Sequence, residues 1–305
     1  MDHPQRLLLP FLAAIAGVAF LSLMDAFMKQ AALASGVYTA SLLRSLIAAA
    51  LVAPFWLASG FVWPRWQVMK LHLERGIVSA MMALSFFFAL TKLPIAEAIA
   101  ISFIAPLLAL YFARIFLGET IARGAIIASL VGFAGTLVIV GGRLGRSDFD
   151  EGVALGIASL LFSALLYAYN FVVIRRQSQV AGPLEVATFH SGIGGLVQAL
   201  AAPFFFAMPG SDGLGTIAIA AVLTIGGSMT ITWAYARAEA QVLVPVEYSG
   251  FLWAALFGWL FFREAVTVTT IAGVVLIVIG CWIAVPRRKA KLRTGSEPAD
   301  QAGSS

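Results

Sequence analysis

Asp25 and Lys29 stand four residues apart in an otherwise apolar run, and Arg44 follows inside the next one. That spacing puts Asp25 and Lys29 on one helical face, close enough to pair. Ionisable side chains at membrane depth are costly, so each is a candidate for function. Arg44 either neutralises Asp25 or offers its planar fork to a carboxylate or phosphate. Tyr167, Tyr169 and Asn170 form a polar-aromatic strip whose rings can stack on a solute or pack between helices. His190 adjoins Ser191, but neighbouring helical residues point to different faces, so they make no nucleophile–base pair. Glu247 lies between Pro245 and Tyr248, where a proline frees backbone groups and bends a helix. A carboxylate there can exchange a proton, or it can pair with a basic side chain of another helix. Phe103, Pro106 and Tyr111 mark a matching wall earlier in the chain.

The elements that must carry these residues follow from composition. Of 305 residues, 61% are hydrophobic and 11% charged, with a mean hydropathy of +0.94, whereas soluble domains carry roughly 25% charged residues. One soluble core cannot hide so much apolar surface, so lipid is the natural solvent and the chain is all-α and membrane-integral. The 28 glycines and 12 prolines suit packed membrane helices. A lone Cys281 excludes a disulfide framework. The chain lacks a Gly-x-x-x-x-Gly-Lys-[Ser/Thr] loop, a His-Glu-x-x-His and a Cys-x-x-Cys, so no ATPase, catalytic metal or thiol pair is indicated, and no cofactor is expected. The net charge of +5 lies in loops and the tail rather than one patch, which argues against a nucleic-acid partner.

Runs of about 20 apolar residues mark candidate spans. They fall at 7–33, 37–59, 71–90, 95–116, 122–141, 152–174, 184–208, 214–234, 242–262 and 266–285. Ten spans form two groups of five, and the groups share a register. Glu264 and Glu119 are 145 positions apart, as are Gly280 and Gly135, Arg237 and Lys92, Asn170 and Asp25, and Tyr248 and Phe103. A second copy of a five-span unit enters the membrane upside down, which makes an inverted repeat of the kind many secondary carriers use. The expected divisions are a first repeat at 7–142, a second at 152–285 and a basic, disordered tail at 286–305. Lys and Arg concentrate on the side of both termini, which predicts cytoplasmic ends. Glu119 and Glu264 read as residues that stabilise the start of the helix after a turn. Glu97, at the outer end of the fourth span, reads as a residue that favours a helix N-terminus, and His72 as a residue near the membrane surface. Gly132, Gly135, Gly273 and Gly280 permit close helix contact, as do Gly152 and Gly156.

The chain resembles the EamA-type transporters of the drug/metabolite transporter superfamily. The resemblance rests on Ala89-Leu-Thr-Lys-Leu-Pro-Ile-Ala-Glu-Ala98, Ile104-Ala-Pro106, Leu117-Gly-Glu119 and Gly132-Phe-Ala-Gly135. The second half carries it through Ala236-Arg-Ala238, Phe262-Arg-Glu264 and Gly273 to Gly280. Asp25-Ala-Phe-Met-Lys29 with Leu43-Arg44-Ser45 is similar to a subset that moves nucleoside-like, flavin or other polar metabolites, while other members export amino acids or amines. Asn170 replaces Asp25 in the second half, and no lysine stands in the register of Lys29. The resemblance implies an inner-membrane carrier working by alternating access.

The expectation is a secondary transporter of a small polar or amphipathic metabolite, monomer or homodimer, with protons as candidate coupling ion. Its substrate-binding residues are Asp25, Arg44, Phe103, Tyr169, Asn170, His190, Glu247 and Tyr248. The rival class is an intramembrane lipid-modifying enzyme, which needs a reactive cluster on facing helices.

Overall fold

A computed structural model describes residues 3–284, except 61, 119–122, 145–148, 178, 236, 238–245 and 247–248. Glu119, Glu247, Tyr248 and the tail therefore lie outside the described residues. The elements are α1 (His3–Ser35), α2 (Val37–Ala58), α3 (Trp66–Lys92), α4 (Ile95–Ser102), α5 (Ile104–Leu117) and α6 (Arg123–Leu144). They continue with α7 (Glu151–Gln177), α8 (Pro183–Ala199), α9 (Ala202–Phe205), α10 (Ser211–Tyr235), α11 (Ser249–Phe262) and α12 (Val268–Ala284).

Among the described residues six stretches are long and apolar enough to cross a membrane: Leu8–Ser35, Val37–Ala58, Trp66–Lys92, Ile95–Leu117, Glu151–Ile174 and Ser211–Ala234. Leu130–Leu144, Ser249–Phe262 and Val268–Gly280 are shorter apolar helices. Large apolar side chains, among them Phe55, Leu130, Leu200, Leu252 and Val268, project outward. In water such a surface would drive aggregation; against lipid tails it is the natural exterior. The interior is built from small residues, with Ala26, Ala31, Ala89, Ala98, Ala220 and Ala254 at its centre. Without a hydrophobic drive between helices in lipid, such residues let backbones approach and gain packing.

Two expected spans are interrupted. The fourth breaks at Phe103, between α4 and α5. Pro106 has no N–H for the Ser102 carbonyl. The seventh ends as a helix at Ala199 and resumes as the short α9, which has a proline in its first turn.

The main packing pairs are α1 on α10, α3 on α7, α6 on α12 and α2 on α8. At the α6–α12 crossing, a Cβ added to Gly135 or to Gly273 would sit 2.6 Å from the other's carbonyl oxygen. At the α1–α10 crossing, Gly17 and Gly227 approach similarly, at 3.2 and 3.1 Å. Ser159 and Ser163 of α7 cross α3 by donating to the carbonyls of Ser85 and Met82, each at 2.9 Å. The chain leaves α5 through Gly118 at φ 70° and leaves α11 through Arg263 at φ 57°. These stops, 145 positions apart, share the left-handed conformation that glycine adopts freely and arginine only at some expense.

Candidate functional site

A cavity of about 50 Å³ opens between α2, α3, α8 and α10. At ~10–15 Å³ of such volume per water, it has room for a few waters or one small polar group. Arg44 and Ser45 reach it from α2, Ser79 from α3, His190 and Gln198 from α8, and Thr224 from α10. Ser45 and His190 are 145 positions apart, and so are Ser79 and Thr224. Residues that share the 145-position spacing therefore line one cavity.

The walls hold unusually many unspent polar atoms. Arg44 Nε, Ser79 Oγ, His190 Nδ1 and Gln198 Oε1 are buried without a hydrogen-bond partner among the described residues. Buried polar atoms are normally satisfied, so a cluster of exceptions calls for a cause. Arg44 donates through Nη1 to Thr224 Oγ1 at a long 3.4 Å, and its guanidinium lies 5.2 Å from the centre of the Phe87 ring. Asp25 on α1 is its electrostatic partner, without a direct ion pair. Arg44 and Arg75 both act electrostatically on His190. Ser191 also borders the cavity, since a wall of this width admits two adjacent helical residues.

At one end of α3, Lys29 donates to Glu264 Oε1 at 2.5 Å and to the Leu93 carbonyl at 2.6 Å. The second Glu264 oxygen accepts from the Ile95 N–H at 2.7 Å. This corrects two expectations. Lys29 does not pair with Asp25, because the α1–α4–α11 packing brings it to Glu264. Glu264 does not serve its own following helix, which begins only at Val268; it meets a free N–H at the start of α4 instead. Nearby, Glu97 in the first turn of α4 is buried and lies 3.7 Å from Arg143.

At the other end of α3, His72 is fully buried among protein groups. Its Nε2 meets Glu185 of α8 at 2.8 Å and its Nδ1 meets Gln177 of α7 at 2.7 Å. Arg75 Nη1 donates to Gln177 Oε1 at 2.6 Å. Phe189 stacks on the His72 ring at 4.5 Å, with Trp56 and Trp63 edge-on behind it. Sequence reasoning passed over Gln177 and Glu185. A signal existed: both are hydrogen-bonding side chains that flank a short turn at the His72 end.

Of the expected binding residues, the structure brings Arg44 and His190 together at the cavity, with Asp25 behind Arg44. Asn170 is buried on α7 with Oδ1 unpartnered among the described residues. Tyr169 is engaged elsewhere, donating its hydroxyl to Glu74 and packing edge-on against Phe112 and Phe116. Phe103 sits at the α4–α5 break, packed against the core. Among the described residues no group of three His, Cys, Asp or Glu is placed to hold a metal.

A family model described as the EamA-like transporter family matches residues 8–141 and again 154–285. The chain belongs to that family. It is 29% identical to a pseudopaline exporter of Pseudomonas aeruginosa, over 91% of this chain and 95% of that protein. It is 28% identical to a riboflavin transporter of Rhizobium johnstonii, over 64% and 63%. An S-adenosylmethionine uptake transporter of Rickettsia felis is 24% identical over 68% of each chain. A solved crystal structure superposes with a TM-score of 0.62 at 22% identity, covering 93% of this chain and 97% of that one, and so shares the fold. Family and relatives are named as transporters, which decides between carrier and intramembrane enzyme: the chain is a multi-pass membrane transporter and not an enzyme.

Proposed function

We propose that this transporter is a secondary carrier, not driven by ATP, that moves a small polar or amphipathic metabolite by alternating access. In this reading ten spans form two inverted five-helix repeats, 7–142 and 152–285, in the inner (plasma) membrane with both termini cytoplasmic. The observation that carries it is the cavity between α2, α3, α8 and α10, with its unspent polar atoms and its paired positions Ser45/His190 and Ser79/Thr224. A solute-binding site between inverted repeats lies near the midplane. Here Ser79 stands between His72 and Leu93, whose clusters lie roughly 30 Å apart along a helix rising 1.5 Å per residue. Each cluster ties the first half to the second, so breaking one while keeping the other would admit solute from one side at a time.

Supporting the twofold reading, α1 on α10 is matched by α7 on α3, and the left-handed stops at Gly118 and Arg263 are matched too. The relatives' names support a small metabolite as cargo. Arg44 and His190 contact solute, Asp25 balances Arg44, and Asn170 lies on the adjoining α7. Phe103 is an apolar wall of the site, and Tyr169, Glu247 and Tyr248 are further substrate contacts, the last two outside the described residues. Asp25 or Glu247 takes up the coupling proton.

Counterflow in liposomes tests this. Protein preloaded with the right metabolite should accumulate labelled metabolite without ATP, and Arg44→Ala or His190→Ala should abolish it. Full counterflow in both variants would move the site elsewhere. Uptake indifferent to an imposed pH gradient would remove the proton.

A further inference from the structure

We infer that the cavity seats a carboxylate of the transported solute, gripped by the Arg44 guanidinium. This rests on reading the chain as a carrier. A guanidinium carries five N–H donors in a rigid fork. Arg44 spends one of them weakly, at 3.4 Å on Thr224, and its Nε is buried with nothing to donate to. Phe87 supports the guanidinium from the side at 5.2 Å, a contact that leaves the in-plane donors free. Asp25 neutralises Arg44 at a distance but does not occupy the fork.

The unspent donors around the cavity point to an anion. Two guanidiniums, Arg44 and Arg75, act on His190, and Asp25 is the carboxylate set against Arg44. Other acidic groups nearby are already engaged, Glu185 with His72 and Glu74 with Tyr169. What is left over is donors: the in-plane N–H groups of Arg44, with no carboxylate in the fork. Ser79 Oγ and His190 Nδ1, both buried and unpartnered, supply further donors, the latter in its Nδ1–H tautomer. A bidentate grip on a planar oxyanion is what an arginine fork provides and a lysine does not. A carboxylate sets two coplanar oxygens against that fork and brings one negative charge to bury, less than a phosphate ester at about −1.5 to −2. The cavity volume of about 50 Å³ fits such a group rather than a whole metabolite, whose remainder would extend into space created as one end opens.

The experiment uses full-length protein in detergent and in liposomes, with matched acid–amide pairs: nicotinate and nicotinamide, L-phenylalanine and its amide, L-glutamate and L-glutamine. Inorganic phosphate is added as a further probe. Ligands that bind the folded state raise its thermal midpoint by mass action. At least one acid should raise the midpoint and drive counterflow, and its amide should do neither. Arg44→Gln should weaken that acid by a factor of about ten to a hundred, the range expected for a charge-assisted bond, and Arg44→Lys by about ten. Should Arg44→Gln fail to fold, Arg44→Lys and Ser79→Ala carry the same test. Amides or amines moved as well as acids, phosphate favoured over every acid, or acid binding unchanged in the Arg44 variants would each overturn the inference. In the first of these cases the carrier reading survives, because solute still moves; counterflow of no solute at all would count against the carrier itself.

Discussion

At one end of α3 the Lys29 ammonium is held between the Glu264 carboxylate and the Leu93 carbonyl; at the other, His72 is held between Glu185 and Gln177. Both clusters join the two halves, yet their chemistry differs. The Lys29–Glu264 contact is a charge pair with side chains only 8% and 14% exposed, and the remaining donors and acceptors meet main chain. Parting it strands two charges away from water. In the His72 cluster the Glu185 carboxylate and the Arg75 guanidinium meet imidazole and amide groups rather than each other, Glu185 is 22% exposed, and Arg75 Nε stays unpartnered among the described residues. Parting it separates charges that do not rely on each other, one of them already partly exposed. In the alternating-access reading proposed above each end opens in turn, and this contrast predicts that the His72 end is the easier one to open.

The largest expected effect breaks the firmer end. Glu264→Ala removes the counter-charge of Lys29 and the acceptor for the Ile95 N–H, which should cost about 3–5 kcal/mol. Lys29→Met combined with Glu264→Leu should recover much of that loss, since apolar pairs often replace buried ion pairs without penalty. Chemical denaturation in detergent measures both, and a double variant no more stable than Glu264→Ala would show that the pair is not a closed unit.

Next in size, His72→Ala should cost about 1–3 kcal/mol, the loss of bonds that leaves Gln177 unsatisfied. It should also expose the cavity. In a Cys281→Ser background, a cysteine at Ser79 should react faster with a polar maleimide when His72 is replaced than when Glu264 is. The reverse order of rates would invert the proposed difference between the ends.

Gly135→Val probes a region outside both ends. Its Cβ would sit 2.6 Å from the Gly273 carbonyl, so α6 and α12 must part, at about 1–3 kcal/mol. Stability should fall while Ser79 labelling stays unchanged; faster labelling would join this crossing to the gating elements. The smallest effect belongs to Arg263→Gly. The left-handed backbone favours glycine, but glycine loses more freedom on folding, and the two nearly cancel to within about 1 kcal/mol. A thermal shift well beyond that would give the Arg263 side chain, which stacks on Trp259 at 5.1 Å, a larger part than its exposure suggests.

The residues read at membrane depth from sequence divide by how far away their partners lie. Arg44 and His190 were legible as cavity residues because ionisable side chains in apolar runs rarely occur without cause. Asp25 was legible as a buried acid, but its pairing with Lys29 was a local guess that a neighbour on another helix outcompeted. Tyr169 was legible as polar-aromatic, while its direction toward Glu74 was not. Glycine spacing marked Gly135 and Gly273 as places for close helix contact, but not that they would meet each other at the α6–α12 crossing.

Composition alone determined the solvent of this protein, and apolar run length placed most of its helices, because the energetics of lipid act on every residue independently. The family followed from ordered local motifs. Tertiary structure alone decided which charge meets which. Lys29 and Glu264 are 235 positions apart and His72 and Glu185 are 113 apart, and no local periodicity encodes a contact made by helices folding back on one another. The same holds for the cavity: its polar atoms are scattered over four helices, and only packing shows that Arg44, Ser79, His190 and Gln198 leave hydrogen bonds unmade in one place.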